Sequence, residues 1–204
     1  MLLERYRPAY IDAVDIAAGM VAFGRRAFHA TPGVTWMEGD ARTFKGRTPY
    51  PLIASCAALH WVPDLAAVFK NVYRNLAGGG WFVLGLMLQH TLKELQAVRR
   101  AIAPAKMPRY RLPTLSQTVE ALAQAGLEVH QTIHREITFR YPDARALLTM
   151  LHEQGVTGGR AHDGYIPLTR GEVGQLVRCY DRKYQRSNSV YATYEWAAMN
   201  CLKR

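Results

Sequence analysis

Apolar and polar positions fall into short alternating blocks over the first 90 residues. Tyr10 to Ile16 (YIDAVDI) is rich in β-formers and runs into the turn Ala17-Ala18-Gly19, which predicts a strand. Met20, Val21, Phe23, Ala27 and Phe28 then recur at helical spacing, predicting a helix over Met20 to His29. Val34 to Met37 predicts a second strand, closed by Glu38-Gly39-Asp40, and Pro51 to Ala57 (PLIASCA), apolar throughout, a third. Asp64 stands where a helix cap belongs, ahead of an apolar face made by Leu65, Val68, Phe69, Val72, Tyr73 and Leu76. The run Gly78-Gly79-Gly80 reads as the C-cap of that helix, and Trp81 to Met87 as a fourth strand, apolar on both faces.

Strands alternating with helices, the strands almost continuously apolar, predict a parallel sheet covered on both sides. The expected fold class is therefore α/β, a doubly wound sheet with ligands at the carboxyl ends of the strands. The second half has a different pattern. Helices are predicted over Leu92 to Ile102, Leu115 to Ala125, Asp143 to His152 and Leu168 to Arg186, the last opened by a Thr169/Glu172 capping box. Leu127 to Phe139 is one long strand or a strand pair, Val190 to Leu202 a final, antiparallel strand after these inserted helices, and Ala103 to Pro113 and Gln154 to Asp163 are loops. With 204 residues and no linker, one domain is expected.

Composition narrows this little: 49% apolar and 21% charged residues exclude a disordered chain, a collagen and a coiled coil. Charge says more. The net charge is +10, of which residues 1–88 carry +3 and residues 89–204 carry +7. Arg99, Arg100, Lys106, Arg109 and Arg111 form the densest basic stretch, either a solvated face or a field that draws in an acidic partner. Nucleic acid is the weakest such partner, because few aromatics interleave and no binding motif is present. Cys56, Cys179 and Cys201 make no CxxC pair, which suits a reducing cytoplasm. Trp81 to Leu88 is too short to span a bilayer, so no membrane partner is expected.

Candidate chemistry lies at the predicted strand ends. Asp15 could accept hydrogen bonds from both hydroxyls of a ribose, or serve as an ordinary turn and cap residue. Asp40 could accept from an exocyclic amine while the N–H of Ala41 meets a ring nitrogen, or be a loop aspartate. Together, 25 residues apart and ending consecutive strands, they favour a nucleoside site. His60, beside Trp61 and just past the third strand, is a proton acceptor, a substrate donor or a polar residue on a pocket rim. The other histidines show no HExxH or comparable ligand spacing, and no metal site is expected. Nor is there a GxSxG or Walker A sequence.

The stretches AVDIAAGMVAFGRRAF, VTWMEGDARTF and YPLIASCAALHWVPDLAAVFKNVYRNLAGGGWFVLGL resemble the class I S-adenosylmethionine-dependent methyltransferases. Those in the second half (LQHTLKELQAVRRAI, MLHEQGVTGGR, IPLTRGEVGQLVRCYDRKY, VYATYEWAAMNCLKR) resemble the malonyl-acyl-carrier-protein O-methyltransferases of biotin synthesis. The resemblance implies S-adenosylmethionine as cofactor and acyl carrier protein as partner, the acceptor being the free carboxyl of a malonyl thioester. It implies that Asp15 binds ribose, that Ile16 and Met20 flank the adenosine, and that Asp40 and Ala41 hold the adenine. It implies further that Ser55, Cys56 and Ala57 lie near the amino-acid part of the cofactor and that Arg111 reads the malonyl carboxylate; His60 and Trp61, from their own place after the third strand, are the other expected substrate-binding residues. A carboxylate is already ionised at neutral pH, so no catalytic base is expected. The pattern departs from the family at Pro51 and Cys56, where Asp and Asn are usual, and above all in lacking the first strand and glycine-rich loop. The sequence alone thus predicts a truncated methyltransferase domain over residues 1–204, the alternatives being a catalytically silent fragment, a subunit needing a complementing chain, or another small-molecule methyltransferase.

Overall fold

Local signals explain most of the helices in the computed structural model, which describes residues 10–47, 49–155 and 166–204. Strands β1 (Ile11–Asp15) and β2 (Val34–Glu38) flank helix α1 (Ala18–Ala27). Strand β3 (Tyr50–Cys56) leads through a short turn of 3-10 helix, Leu59–Trp61, to α2 (Leu65–Asn75). The Asp64 side chain accepts the Ala67 N–H at 2.9 Å and caps α2 as expected. Strand β4 (Leu76–Met87) follows, then α3 (Lys93–Ile102), α4 (Leu115–Gln124), β5 (Leu127–Tyr141), α5 (Ala144–Glu153), α6 (Arg170–Tyr184), β6 (Gln185–Arg186) and β7 (Ser189–Lys203). Thr169 and Glu172 form the expected capping box on α6, and Thr114 with Gln117 forms another on α4. The loop expected over Gln154 to Asp163 lies mostly outside the described residues.

Two expectations are corrected. Gly78–Gly80 does not cap α2, which ends at Asn75 with no intervening loop before β4. The glycines form an irregularity inside β4, where the β3 register jumps from Tyr50↔Leu76 to Leu52↔Trp81. Gly79 supplies the left-handed backbone, φ 72°, that this bulge needs. Second, β1 and β2 do not join the parallel pair β3 and β4 in one sheet. Strands β1 and β2 pair in parallel as a separate two-stranded sheet, while β3 and β4 pair in parallel within a five-stranded sheet of order β3-β4-β7-β5, with the short β6 also pairing β7; the ladders of that sheet other than β3–β4 are antiparallel. Among the described residues, no strand pairs with the second edge of β1 or with the outer edge of β3.

The core sits in the larger sheet. Alternate residues of β4 (Phe82, Leu84, Leu86) point inward with Met199 of β7 against Val68 and Phe69 of α2 and Leu122 of α4. Phe69 and Phe82 meet as tilted rings 6.0 Å apart. A second cluster joins Val98, Leu147, Leu151, Leu176 and Tyr180 to Val190 and Ala192 of β7, locking α3, α5 and α6 together. The expected cover on both faces is absent among the described residues: Leu52, Trp81 and Val83 are exposed on the far side.

Candidate active site

The carboxyl ends of β1, β2 and β3 carry the residues singled out in the sequence. Asp15 is the last residue of β1, and its carboxylate accepts the Ala17 N–H at 2.8 Å, tightening the turn into α1. The next strand end is tied to it, because the Gly39 N–H donates to the Asp15 carbonyl at 3.0 Å. Ile16 and Met20 stand beside Asp15 as exposed apolar side chains, 67% and 51% accessible. The Asp15–Met20 turn and the Asp40–Ala41 turn therefore form one continuous rim.

Asp40 has a partner that the sequence reading missed. Arg42 grips it through Nε at 3.0 Å from both carboxylate oxygens and through Nη2 at 2.6 Å from Oδ2, while the Arg42 N–H donates to Oδ1 at 2.8 Å. The hydrogen bonds from Arg42 hold the Asp40 carboxyl below the usual carboxylate range. The two-residue spacing of Asp40 and Arg42 was legible, but an arginine next to an aspartate on a loop is too common to signal a site.

On the larger sheet, Ser55 and Cys56 end β3, and Ala57 turns the chain with a left-handed backbone (φ 53°), its N–H donating to the Gly85 carbonyl at 2.9 Å. His60 follows in the short helical turn, 5% exposed, its Nδ1 buried without a hydrogen-bond partner. Burial pushes its pKa down to about 4, so the ring is neutral near pH 7. Trp61 packs on it with ring centroids 5.0 Å apart.

Arg111 comes to this neighbourhood from far along the chain. The Tyr110 hydroxyl donates to the His60 carbonyl at 2.9 Å and lies 3.3 Å from that of Val62. Tyr110 and Arg111 line an open surface hollow of about 360 Å³ with Pro63, Asp64 and Leu65. His60 and Trp61 do not line that hollow; Tyr110, next to Arg111 in the chain, is the link to the His60 turn. A second hollow, about 420 Å³, is lined by Arg42, Lys45, Asn71 and Arg74. Neither hollow includes Asp15 or Asp40.

Polar ties hold the two sheets in place. The Tyr50 hydroxyl donates to Asp12 Oδ2 at 2.5 Å, and Arg47 pairs with Asp12 Oδ1 at 2.8 Å. Asn71 of α2 donates to the carbonyls of Ala41 and Phe44 at 3.0 and 2.9 Å, fixing the loop after Asp40. The basic stretch is more constrained than its sequence suggests. Arg99 donates to the Lys106 and Ile166 carbonyls, and Lys106 pairs with Glu172 at 2.7 Å.

Parallel strands whose carboxyl ends carry an acid, an acid-bearing loop and a histidine-bearing turn, followed by an antiparallel final hairpin, define a Rossmann-like methyltransferase fold. Solved structures agree. The YcgJ protein from Bacillus subtilis superposes with a TM-score of 0.68 at 14% identity, covering 96% of this chain and 83% of that one. A geranyl diphosphate methyltransferase in complex with S-adenosylmethionine superposes at 0.58 and 12% identity, covering 99% and 71%. Residues 1–80 match the methyltransferase-domain family model. In fold and in sequence the chain is thus similar to S-adenosylmethionine-dependent methyltransferases. In particular, it is similar to the trans-aconitate 2-methyltransferase of Azoarcus sp. (strain BH72), 27% identical over 76% of this chain and 62% of the relative. It is equally similar, at 27% identity, to the malonyl-[acyl-carrier protein] O-methyltransferase of Xylella fastidiosa (strain M23), over 94% of this chain and 65% of the relative. The chain thus spans somewhat under two thirds of the length of both. Among the described residues, no helix is long and apolar enough to cross a membrane.

Proposed function

We propose that the chain transfers a methyl group from S-adenosylmethionine to the free carboxylate of malonyl-acyl carrier protein, in the cytoplasm, as a step of biotin synthesis. The observation that carries this reading is the similarity to the Xylella fastidiosa relative over 94% of the chain, against 76% for the trans-aconitate enzyme.

The residues present suit the adenosine side of the cofactor. Asp15 has the acid and the exposure to accept ribose hydroxyls, and Ile16 and Met20 offer the neighbouring apolar surface. Asp40 keeps lone pairs beyond those used by Arg42, because an ionised carboxylate has about four. Ser55, Cys56 and Ala57 would then lie toward the amino-acid part. When bound, S-adenosylmethionine supplies an electrophilic methyl group. The protein has only to bind, align and exclude water, with the carboxylate oxygen about 3 Å from the methyl carbon and in line with the bond to sulfur. Arg111 suits the acceptor, since a guanidinium grips a carboxylate through two parallel hydrogen bonds. It also draws charge from the nucleophile, so its contribution is orientation and selectivity. The neutral, buried His60 ring and Trp61 form the wall beside it.

The edges of β1 and β3 that no strand pairs among the described residues support a further part of this reading: a strand with a glycine-rich turn completes residues 1–204 as one methyltransferase domain and closes the cofactor pocket. The 204-residue chain by itself should then bind S-adenosylmethionine weakly or not at all in isothermal titration, and micromolar binding would refute the need for that element. The acceptor is tested separately. The chain is fused at its N-terminus to the first strand–turn–helix of the Xylella fastidiosa relative and given methyl-labelled S-adenosylmethionine. Label should appear on malonyl-acyl carrier protein, and preferential labelling of trans-aconitate would overturn the substrate assignment.

A further inference from the structure

Two glutamates face each other across the β5–β7 ladder in a way that the methyltransferase reading leaves unused. Glu136 and Glu195 are direct register partners, so their side chains share one face of the sheet. Like charges directly opposite in a ladder destabilise it, and Glu195 is in addition buried. The arrangement therefore calls for a positive centre. His90, in the turn between β4 and α3, reaches the same point: its Nδ1 lies 3.5 Å from Glu136 Oε1 and 3.4 Å from Glu195 Oε2. One ligand-type atom from each of the three residues lies within 4.8 Å of the other two. Ligand bonds of about 2.0–2.2 Å in a tetrahedron put neighbouring donors about 3.3–3.6 Å apart, which is the spacing found around His90.

The surroundings hold each donor by its other end. Lys93 Nζ takes Glu136 Oε2 at 2.8 Å, leaving Oε1 to face His90. His134 Nε2 takes Glu195 Oε1 at 2.8 Å, leaving Oε2 directed at the His90 backbone N–H, 2.7 Å away, and at the His90 ring. The turn that carries His90 is itself pinned to β7: Leu88 N–H and Thr91 Oγ1 both donate to the Glu195 carbonyl at 2.8 Å. This is the supporting shell that metal-ligating carboxylates use to fix their orientation.

We propose that His90, Glu136 and Glu195 form a binding site for a divalent first-row transition ion of the zinc class, with His134 and Lys93 as positioning residues and a fourth position left to water or an added ligand. One imidazole and two carboxylates exceed the charge of the single lysine by one, which a dication reverses, and the imidazole favours zinc over magnesium. The ion joins the β4–α3 turn, β5 and β7, three segments distant in sequence.

The test uses the 204-residue chain without an affinity tag, stripped with chelator and then titrated with Zn2+ and, in parallel, with Co2+. One equivalent should bind, Co2+ should develop the visible bands of a low-coordinate N/O site, and excess Mg2+ should not displace it. His90 and Glu136 have exposed side chains, so His90→Ala and Glu136→Gln should keep the far-ultraviolet circular dichroism of the parent. Each should weaken Zn2+ at least tenfold. His134→Ala should weaken it about 10–100-fold through Glu195, and His130→Ala should leave it unchanged. Absence of stoichiometric Zn2+ and Co2+ binding, or undiminished binding in His90→Ala, would overturn the proposal and leave His90 as a polar neighbour of two carboxylates. The readout does not pass through methyl transfer, so neither proposal's failure imitates the other's.

Discussion

The unit made by β1, α1 and β2 and the unit built on β4, β5 and β7 are packed by different means. In the larger unit, two apolar clusters bury Phe69, Phe82, Leu84, Leu147 and Tyr180 completely or nearly so. In the smaller one, only Val21 and Gly24 of α1 are buried, Gly24 because Trp36 lies so close that a Cβ would meet its ring at 2.4 Å. Ile16, Met20, Phe23 and Phe28 face outward. The larger unit carries its own apolar burial, whereas the smaller is held to it by directional polar contacts through Asp12, Tyr50, Arg47 and Asn71. The candidate cofactor rim is on the weakly packed unit and the candidate acceptor wall on the strongly packed one. Stability and binding should therefore respond to quite different substitutions.

The sharpest contrast comes from the core. Phe82→Ala should cost about 3–5 kcal/mol in chemical denaturation, as truncation of a fully buried aromatic ring does. A loss below 1 kcal/mol would show that β4 is no better packed than β1. His60 gives the next effect. Its folded pKa, about 4, lies below the unfolded value near 6.5, so the unfolded chain takes up the proton first as pH falls. Stability associated with the neutral ring is complete above about pH 6.5 and is lost as pH drops toward 4, by up to about 3 kcal/mol. In His60→Gln that part of the acid limb should flatten, as urea midpoints at pH 7, 5.5 and 4.5 would reveal. Arg111→Ala, in the N-terminally completed fusion, should cost about 1.5–3 kcal/mol in transition-state binding with malonyl-acyl carrier protein, with little change in the urea midpoint. An equal loss of stability would reassign Arg111 to the fold. Smallest of all, Met20→Ser and Phe23→Ser should shift the urea midpoint by less than about 0.5 kcal/mol equivalent, because their side chains are exposed. A large loss at either would mean that this face is covered in solution.

The same division governs what the sequence revealed. Features written in neighbouring residues were legible: the Asp64 cap, the Thr169/Glu172 box, and Asp15 at the end of β1. Glycine defeats such reading at 78–80, because the freedom that ends a helix also permits a bulge. The break between β1 and β3 was not legible either, since strand pairing joins residues distant in the chain and an apolar run looks alike on an inner or an edge strand. Tyr110, whose hydroxyl donates to the His60 carbonyl, ties the loop before Arg111 to the turn that carries His60 and Trp61, a contact between segments 50 residues apart that no local pattern announces. His90, Glu136 and Glu195 escaped every spacing rule because ligand motifs describe one helix or loop, whereas these three come from a turn and two strands.

Helix α2 passes into β4 between Asn75 and Leu76 without a connecting residue, and this joint has no slack. A residue added on its helical side would push Leu76 and all that follows one place along the sheet, exchanging Phe82, Leu84 and Leu86 for Trp81, Val83 and Gly85 on the core face. Only the glycine bulge just downstream, already out of step with β3, could absorb the change. Gains and losses of length in this part of the chain should therefore collect at positions 77–80 and spare the joint itself. The spacing between the Asp64 cap and Asn75 is thereby as constrained as the composition of the core it feeds.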